Sequence, residues 1–274
     1  MAGLLDLKNA KQIWHGGQEV TRLWVGGAVW AKPTASIHPL AIHAGIGAGQ
    51  MPILTDMLWP GGHTVGDDAG TPVVTGLTNL GGTGPYHAMT AVSPATAPRL
   101  SNGNAMLFRI GDLIRMANDA GLNGVHVLFE AYMTNPGFNE TQAIASHSGT
   151  PASGVAGAIE YVRLNANNRF RLRNTSTSQA TYATLALAGA WKLFEMRYAW
   201  SSGSGVADIA LDGVHTTGLI LTNGGDLYVN QLGNSMRGQL VGAMLSVVSD
   251  PAHSMVNPEQ AVLDARSYLI GRRA

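Results

Sequence analysis

Cysteine is absent from the 274 residues, which excludes disulfides, thiolate metal sites and thiol catalysis. Charge is scarce as well: 17 Lys+Arg and 17 Asp+Glu make 12% of the chain, about half the ~25% of an ordinary soluble domain. A net charge of zero leaves no broad basic field for a nucleic-acid backbone and no polybasic patch for an anionic membrane, so neither is expected as a partner. Long apolar runs are missing too. Asp6 interrupts the apolar Leu4-Leu5 pair before Lys8, so no secretory signal region of about 7–15 apolar residues forms. No segment reaches the roughly 18 apolar residues of a membrane span. The expectation is a chain made in the cytoplasm, without membrane insertion.

What the sequence has in excess is turn formers. Gly and Pro together make 47 of the 274 residues, well above the usual ~12%, which points to many short strands. A decad repeat opens the chain: Ile13-Trp14-His15-Gly16-Gly17-Gln18-Glu19-Val20, then Leu23-Trp24-Val25-Gly26-Gly27-Ala28-Val29-Trp30. Gly-Gly between apolar runs supplies the positive φ values of two-residue hairpin turns. The repeat predicts a three-stranded meander over Lys11–His15, Glu19–Val25 and Ala28–Ala31, too small to bury both faces alone. Trp14, Trp24 and Trp30 would then dock on another surface, of this chain or of a larger assembly. The break Lys32-Pro33-Thr34-Ala35-Ser36 marks a boundary, giving an N-terminal β segment over 1–35 and a main domain over 36–274.

From 36 to about 104 the recurring prolines forbid long helices. This stretch reads as loops with short strands near Val73–Leu77 and Ala105–Ile110. Asp112–Gly121 fits either a short helix capped by Asp112 or a strand and turn. Beyond it the period is two. Val125, Val127, Phe129, Ala131 and Met133 share one face of a strand, and His126, Leu128, Glu130 and Tyr132 the other. Further strands follow at Ile159–Leu164, Arg169–Arg173, Leu193–Trp200, Val206–Leu211, Asp226–Asn230 and Gly238–Val248, separated by Asn-, Ser- and Gly-rich turns. This is the cadence of an all-β jelly-roll sandwich. Asn257, Pro258 and Glu259-Gln260 open a terminal helix, with Val262, Ala265 and Leu269 on its apolar stripe.

Three segments carry a resemblance. VVTGLTNLGGTGPYHAMTAVSPATAPRLSNGNAMLFR over 73–109, WKLFEMRYAW with VADIALDG, and the closing ARSYLIG are similar to the concanavalin A-like lectin and glucanase superfamily, in the laminin-G-like form of bacteriophage structural proteins. The Trp-Gly-Gly repeat resembles short β segments that begin phage tail and fibre proteins. The resemblance implies a concanavalin A-like fold over about 40–274. It also implies a virion component of a phage or gene transfer agent, such as a head spike or tail fibre, made in a bacterial cytoplasm and released by lysis. Its expected partners are other virion proteins (capsid, fibre or baseplate), a host surface polysaccharide and further copies of itself.

Chemistry is sparse. Laminarinase-type members of the superfamily carry Glu-x-Asp-x-x-Glu on one strand, since retaining hydrolysis needs two carboxyl groups about 5 Å apart. Asp208-Ile209-Ala210-Leu211-Asp212 lacks the Glu, and neither a His-Glu-x-x-His helix nor a Gly-x-Ser-x-Gly elbow occurs, so a non-enzymatic protein is expected. Laminin-G-like domains often hold Ca²⁺. Asp67 and Asp68 are the loop carboxylates that fit such a role, and plain turn chemistry is the alternative. Glu195 and Arg197, opposite the core side of their strand, are expected to share an outward surface with Asp208, Glu130, Tyr132 and Arg171. Such a surface offers a glycan bidentate donors, carboxylates and an aromatic platform; a ladder of cross-strand ion pairs is the bland counterpart.

Overall fold

A computed structural model describes residues 14–15, 18–19, 22–25, 28–31, 38–40, 53–80, 89–101, 105–122, 125–132, 140–151, 154–164, 167–177, 180–185, 191–222, 225–248 and 258–271. The chain divides into two compact units, 1–37 and 38–274.

In the first unit, β1 (Trp14–His15) pairs with β2 (Gln18–Glu19), and β3 (Arg22–Val25) pairs with β4 (Ala28–Ala31). Each pairing forms a two-stranded sheet, and the residues that would join the two into the expected meander lie outside the described ones. Each pairing falls within one decad, between the residues that flank its Gly-Gly in sequence. The side chains of Trp14, Trp24 and Trp30 lie outside the described residues, and their docking role is carried only by the sequence.

The second unit is all-β apart from one helix. Its first half holds β5 (Ile53–Asp56), β6 (His63–Asp68), β7 (Thr71–Leu77), β8 (Met89–Ala91), β9 (Arg99–Ser101) and β10 (Ala105–Phe108). Much of the stretch expected as loop is therefore strand. Its prolines fall where ladders tolerate them: Pro72 is the second residue of β7, and Pro94 and Pro98 lie between strands. Then come β11 (Leu113–Gly121), β12 (Val125–Tyr132), β13 (Thr141–Ser146), β14 (Val155–Leu164), β15 (Asn167–Asn174) and β16 (Ala180–Leu185). Strands β17 (Trp191–Ser201), β18 (Ser204–Leu211), β19 (Val214–Thr222), β20 (Leu227–Gly233) and β21 (Gln239–Val248) precede helix α1 (Pro258–Gly271). Residues 113–121 are strand and not helix because Asp112 turns backwards. Its Oδ2 accepts from the Arg109 backbone N–H at 2.7 Å and from Arg109 Nε at 3.0 Å, closing a turn before the strand.

The strands form one antiparallel series, β19-β18-β17-β12-β21-β10-β9-β7-β8-β11-β20-β13-β14-β15-β16, folded over on itself. Strand β5 extends the β21 edge beside β10, and a short parallel contact joins β14 to β20. Two layers result. Phe129 of β12 and Phe194 of β17 stack at 5.0 Å, and Phe170 of β15 meets both edge-on at 5.8 and 5.1 Å. The core between the layers is apolar, with Val127, Met196, Tyr198, Ile209, Ile159, Tyr161 and Leu172 buried.

A second, smaller core lies outside the β12-containing layer. Val262, Ala265 and Leu269 of α1 pack on Leu54, Leu128 and Leu193 together with Leu40. The outer face of that layer is therefore roofed by the helix along the stripe read from sequence. Among the described residues no helix is long and apolar enough to cross a membrane.

Candidate functional site

Alternation along β12 and β17 sends Phe129 and Phe194 inward, so Glu130 and Glu195 point to the outer face. Two of the expected site residues are nevertheless not exposed. Glu195 is 3% accessible because α1 covers it, and Arg266 grips both its oxygens, at 3.0 Å from Nε and 2.7 Å from Nη2. That bond raises the Arg266 pKa above its ordinary value. Glu130 is buried as well, at the floor of a crevice beside the C-terminal end of the helix.

The crevice holds about 190 Å³ and is lined by Glu130, Trp191, Lys192, Leu193, Asp212 and the Leu269-Ile270 turn of α1. This is smaller than the ~300–1,000 Å³ of sites for drug-sized ligands and has room for one ring. Cross-strand pairing builds it. Tyr132 lies opposite Trp191 and Glu130 opposite Leu193, and the Tyr132 and Trp191 rings meet edge-on at 6.2 Å. Asp212 is fixed by a turn at positive φ (48°). Its Oδ1 accepts from the Leu193 N–H at 2.9 Å, and its Oδ2 from Lys192 Nζ at 2.6 Å. An aromatic wall, a buried carboxylate and a pinned ion pair thus converge on one small apolar recess.

Arg197 and Asp208 share the same outer face but stand apart, opposite one another across β17 and β18. Arg197 is exposed, and Asp208 lies 3.3 Å from His215 Nδ1. His126 belongs to this row, opposite Arg197, and burial lowers its pKa against the opposing pull of Glu195. Four residues of strand, about 13 Å, separate His126 from Glu130.

Arg171 is not on this face. It follows Phe170, which packs from the opposite layer, so Arg171 projects outward from the other side of the sandwich. There it donates to Glu160 through Nε at 2.5 Å, while Arg173 contacts the same carboxylate at 2.7 Å through Nη2. The expected surface joining Glu130, Tyr132, Arg171, Glu195, Arg197 and Asp208 is therefore three places plus a sealed ion pair.

Asp67 and Asp68 do not converge on a cation site. Asp67 Oδ1 accepts from the Gly70 N–H at 2.8 Å, capping the β6–β7 turn, and Asp68 lies 3.5 Å from the Arg109 guanidinium. A guanidinium stands where a Ca²⁺ ligand set would need further oxygens. Among the described residues no group of three His, Asp or Glu is placed to hold a metal ion.

Sequence reading passed over Trp191 and Lys192, and weighed Asp212 only against a hydrolase pattern. Asp212 reads as a turn residue, and a lone Trp at a strand start carries no periodic signal; only the register with Tyr132 joins them.

No protein-family model matches the chain, and no curated protein matches it. Solved structures with partial likeness include a legume lectin-like domain from Entamoeba histolytica, 7% identical, with TM-score 0.37 over 57% of this chain and 85% of that one. A β-1,3-glucanase from Mycobacterium marinum is 12% identical, with TM-score 0.35 over 54% and 76%. The full-length tailspike protein 2 of Escherichia coli O157:H7 bacteriophage CAB120 is 16% identical, with TM-score 0.33 over 61% of this chain and 23% of that one.

Proposed function

We propose that this chain is a non-enzymatic glycan-binding protein of a phage or gene transfer agent particle, attached by its N-terminal unit and binding host surface polysaccharide through the 38–274 unit. The crevice carries the glycan part of the reading: Trp191, whose ring meets Tyr132 edge-on, lines it together with the buried Glu130 carboxylate and the Lys192–Asp212 pair. Sugar rings offer an apolar face to an aromatic side chain and hydroxyl edges to charged acceptors and donors. The virion part is supported by the Trp-Gly-Gly repeat and by the resemblance of 73–109. One crevice holds one ring, so single-site affinity is weak, and copies repeated on a particle raise it by multivalency.

The test is binding of the intact protein, free and clustered on beads, to polysaccharide extracted from bacterial surfaces. Saturable binding that falls about tenfold or more in Trp191→Ala and Glu130→Gln, but not in Arg197→Ala, is expected, since a lost charge-assisted contact in a recess costs about 1.5–3 kcal/mol. Absence of binding by the clustered protein overturns the reading in favour of a structural decoration. A second reading, glycan hydrolysis, has one observation in its favour: two carboxylates, Glu130 and Asp212, line the crevice. Release of reducing ends from the same polysaccharide would establish it.

A further inference from the structure

Charge is unevenly spread in this neutral chain. Between Thr141 and Trp191 the sequence holds Arg163, Arg169, Arg171 and Arg173 but only one carboxylate, Glu160. Three of these arginines occupy alternate positions of β15, and the buried Phe170 and Leu172 between them face the core. Arg169, Arg171 and Arg173 therefore line one outward row on the layer opposite the helix. Glu160 sits beneath that row on β14, directly across from Arg171 and only 1% accessible.

The way Glu160 is used matters. Arg173 spends both Nε and Nη2 on it, at 3.0–3.1 and 2.7 Å, and the bond raises the Arg173 pKa. Arg171 spends only Nε. Among the described residues its two terminal nitrogens have no protein partner, and its side chain is 23% accessible. A guanidinium anchored by one edge on a buried carboxylate, with the terminal fork turned outward, loses little rotamer entropy when an oxyanion arrives. The row sets three guanidinium groups beside the one buried carboxylate of Glu160.

We infer that the outer face of β15 is a second binding site, specific for carboxylate-bearing (uronate) polysaccharide, with the Arg171 fork as bidentate acceptor-binding group and Arg169 and Arg173 as flanking charges. The row is short, and the rest of the chain cancels its charge. A nucleic-acid backbone, whose affinity needs many simultaneous phosphate contacts, suits it less well than a polymer with one carboxylate per sugar or disaccharide. This site extends the glycan-binding reading but does not share residues with the crevice.

The experiment titrates the full-length protein with oligogalacturonate, a neutral hexose oligomer and a single-stranded DNA oligomer of equal charge. Saturable, salt-weakened binding of oligogalacturonate is expected, stronger than of either other probe. Arg171→Ala should weaken it by about tenfold or more, the usual scale for a charge-assisted pair. Arg171→Lys, which keeps the charge and loses the fork, should recover only part. Retention of the wild-type thermal midpoint in Arg171→Lys guards against misfolding. Trp191→Ala and Glu130→Gln should leave this binding intact. Equal or tighter DNA binding, full recovery in Arg171→Lys, or loss in the crevice variants would each overturn the assignment. Failure here with crevice binding retained would leave the crevice reading standing, and the converse holds as well.

Discussion

At the scale of single residues, burial decides how the histidines behave. His63 and His126 both have pKa values lowered below the ordinary 6.5, in each case chiefly by desolvation. Around His126 stand Glu195 and Arg197 from β17, Asp208 from β18 and Arg266 from α1, the two carboxylates raising its pKa and the two guanidinium groups lowering it. The unfolded chain takes up these protons near pH 6.5 while the folded chain resists them until lower pH. Stability is therefore fully present above about pH 6.5 and declines as the pH falls below it. The slope is at most about 1.4 kcal/mol per pH unit for each histidine. Urea titrations from pH 7.5 to 5 should show this decline, and His126→Asn should flatten part of it. An unchanged slope in the variant would assign the effect to other groups.

At the scale of elements, α1 is held by two buried acidic anchors as well as by its apolar stripe. Arg266 clasps Glu195, and the Tyr268 hydroxyl donates to Asp56 Oδ2 at 2.5 Å, where His38 Nε2 also lies at 3.1 Å. The other Asp56 oxygen accepts from the Leu58 and Trp59 N–H groups, so one carboxylate ties the β5 end, the chain at His38 and the helix. Arg266→Ala leaves the Glu195 charge buried without its guanidinium. We expect a loss of about 3–5 kcal/mol, whereas Arg266→Met combined with Glu195→Leu should come close to wild type. Equilibrium unfolding of the three proteins checks this. Since Leu269 and Ile270 wall the crevice, Arg266→Ala should also weaken glycan binding, and the double variant should restore it.

At the scale of the whole molecule, the two units differ in what they can sustain alone. The first spans 37 residues, near the ~40-residue limit below which a chain without disulfide or metal rarely folds unaided. The second has a continuous core of its own. Removing residues 1–37 should leave the thermal midpoint and both glycan-binding activities of the remainder unchanged while abolishing association with particles. Loss of glycan binding in the truncated protein would show that the division of labour is wrong.

Much of this architecture is legible in the residues, and the reason is periodicity. Alternation in VHVLFEAY and WKLFEMRYAW identifies strands and says which side chains share a pleat, because a strand repeats every two residues whatever surrounds it. The helix stripe Val262, Ala265 and Leu269 follows from the same kind of rule. Alternation is silent on which layer a strand joins. Arg171 and Glu195 both read as outward, and tertiary pairing alone sets them on opposite sides of the sandwich. Nor does local pattern reveal what covers a face. Glu195 is sealed by a helix some 70 residues later, Asp112 folds back to Arg109, and Trp191 meets Tyr132 only through strand register. Composition and short-range period determined the all-β class and its strands, since those depend on neighbours in the chain. The crevice, the arginine row and the burial of the two glutamates depend on contacts between residues far apart in sequence, and those the folded structure alone decided.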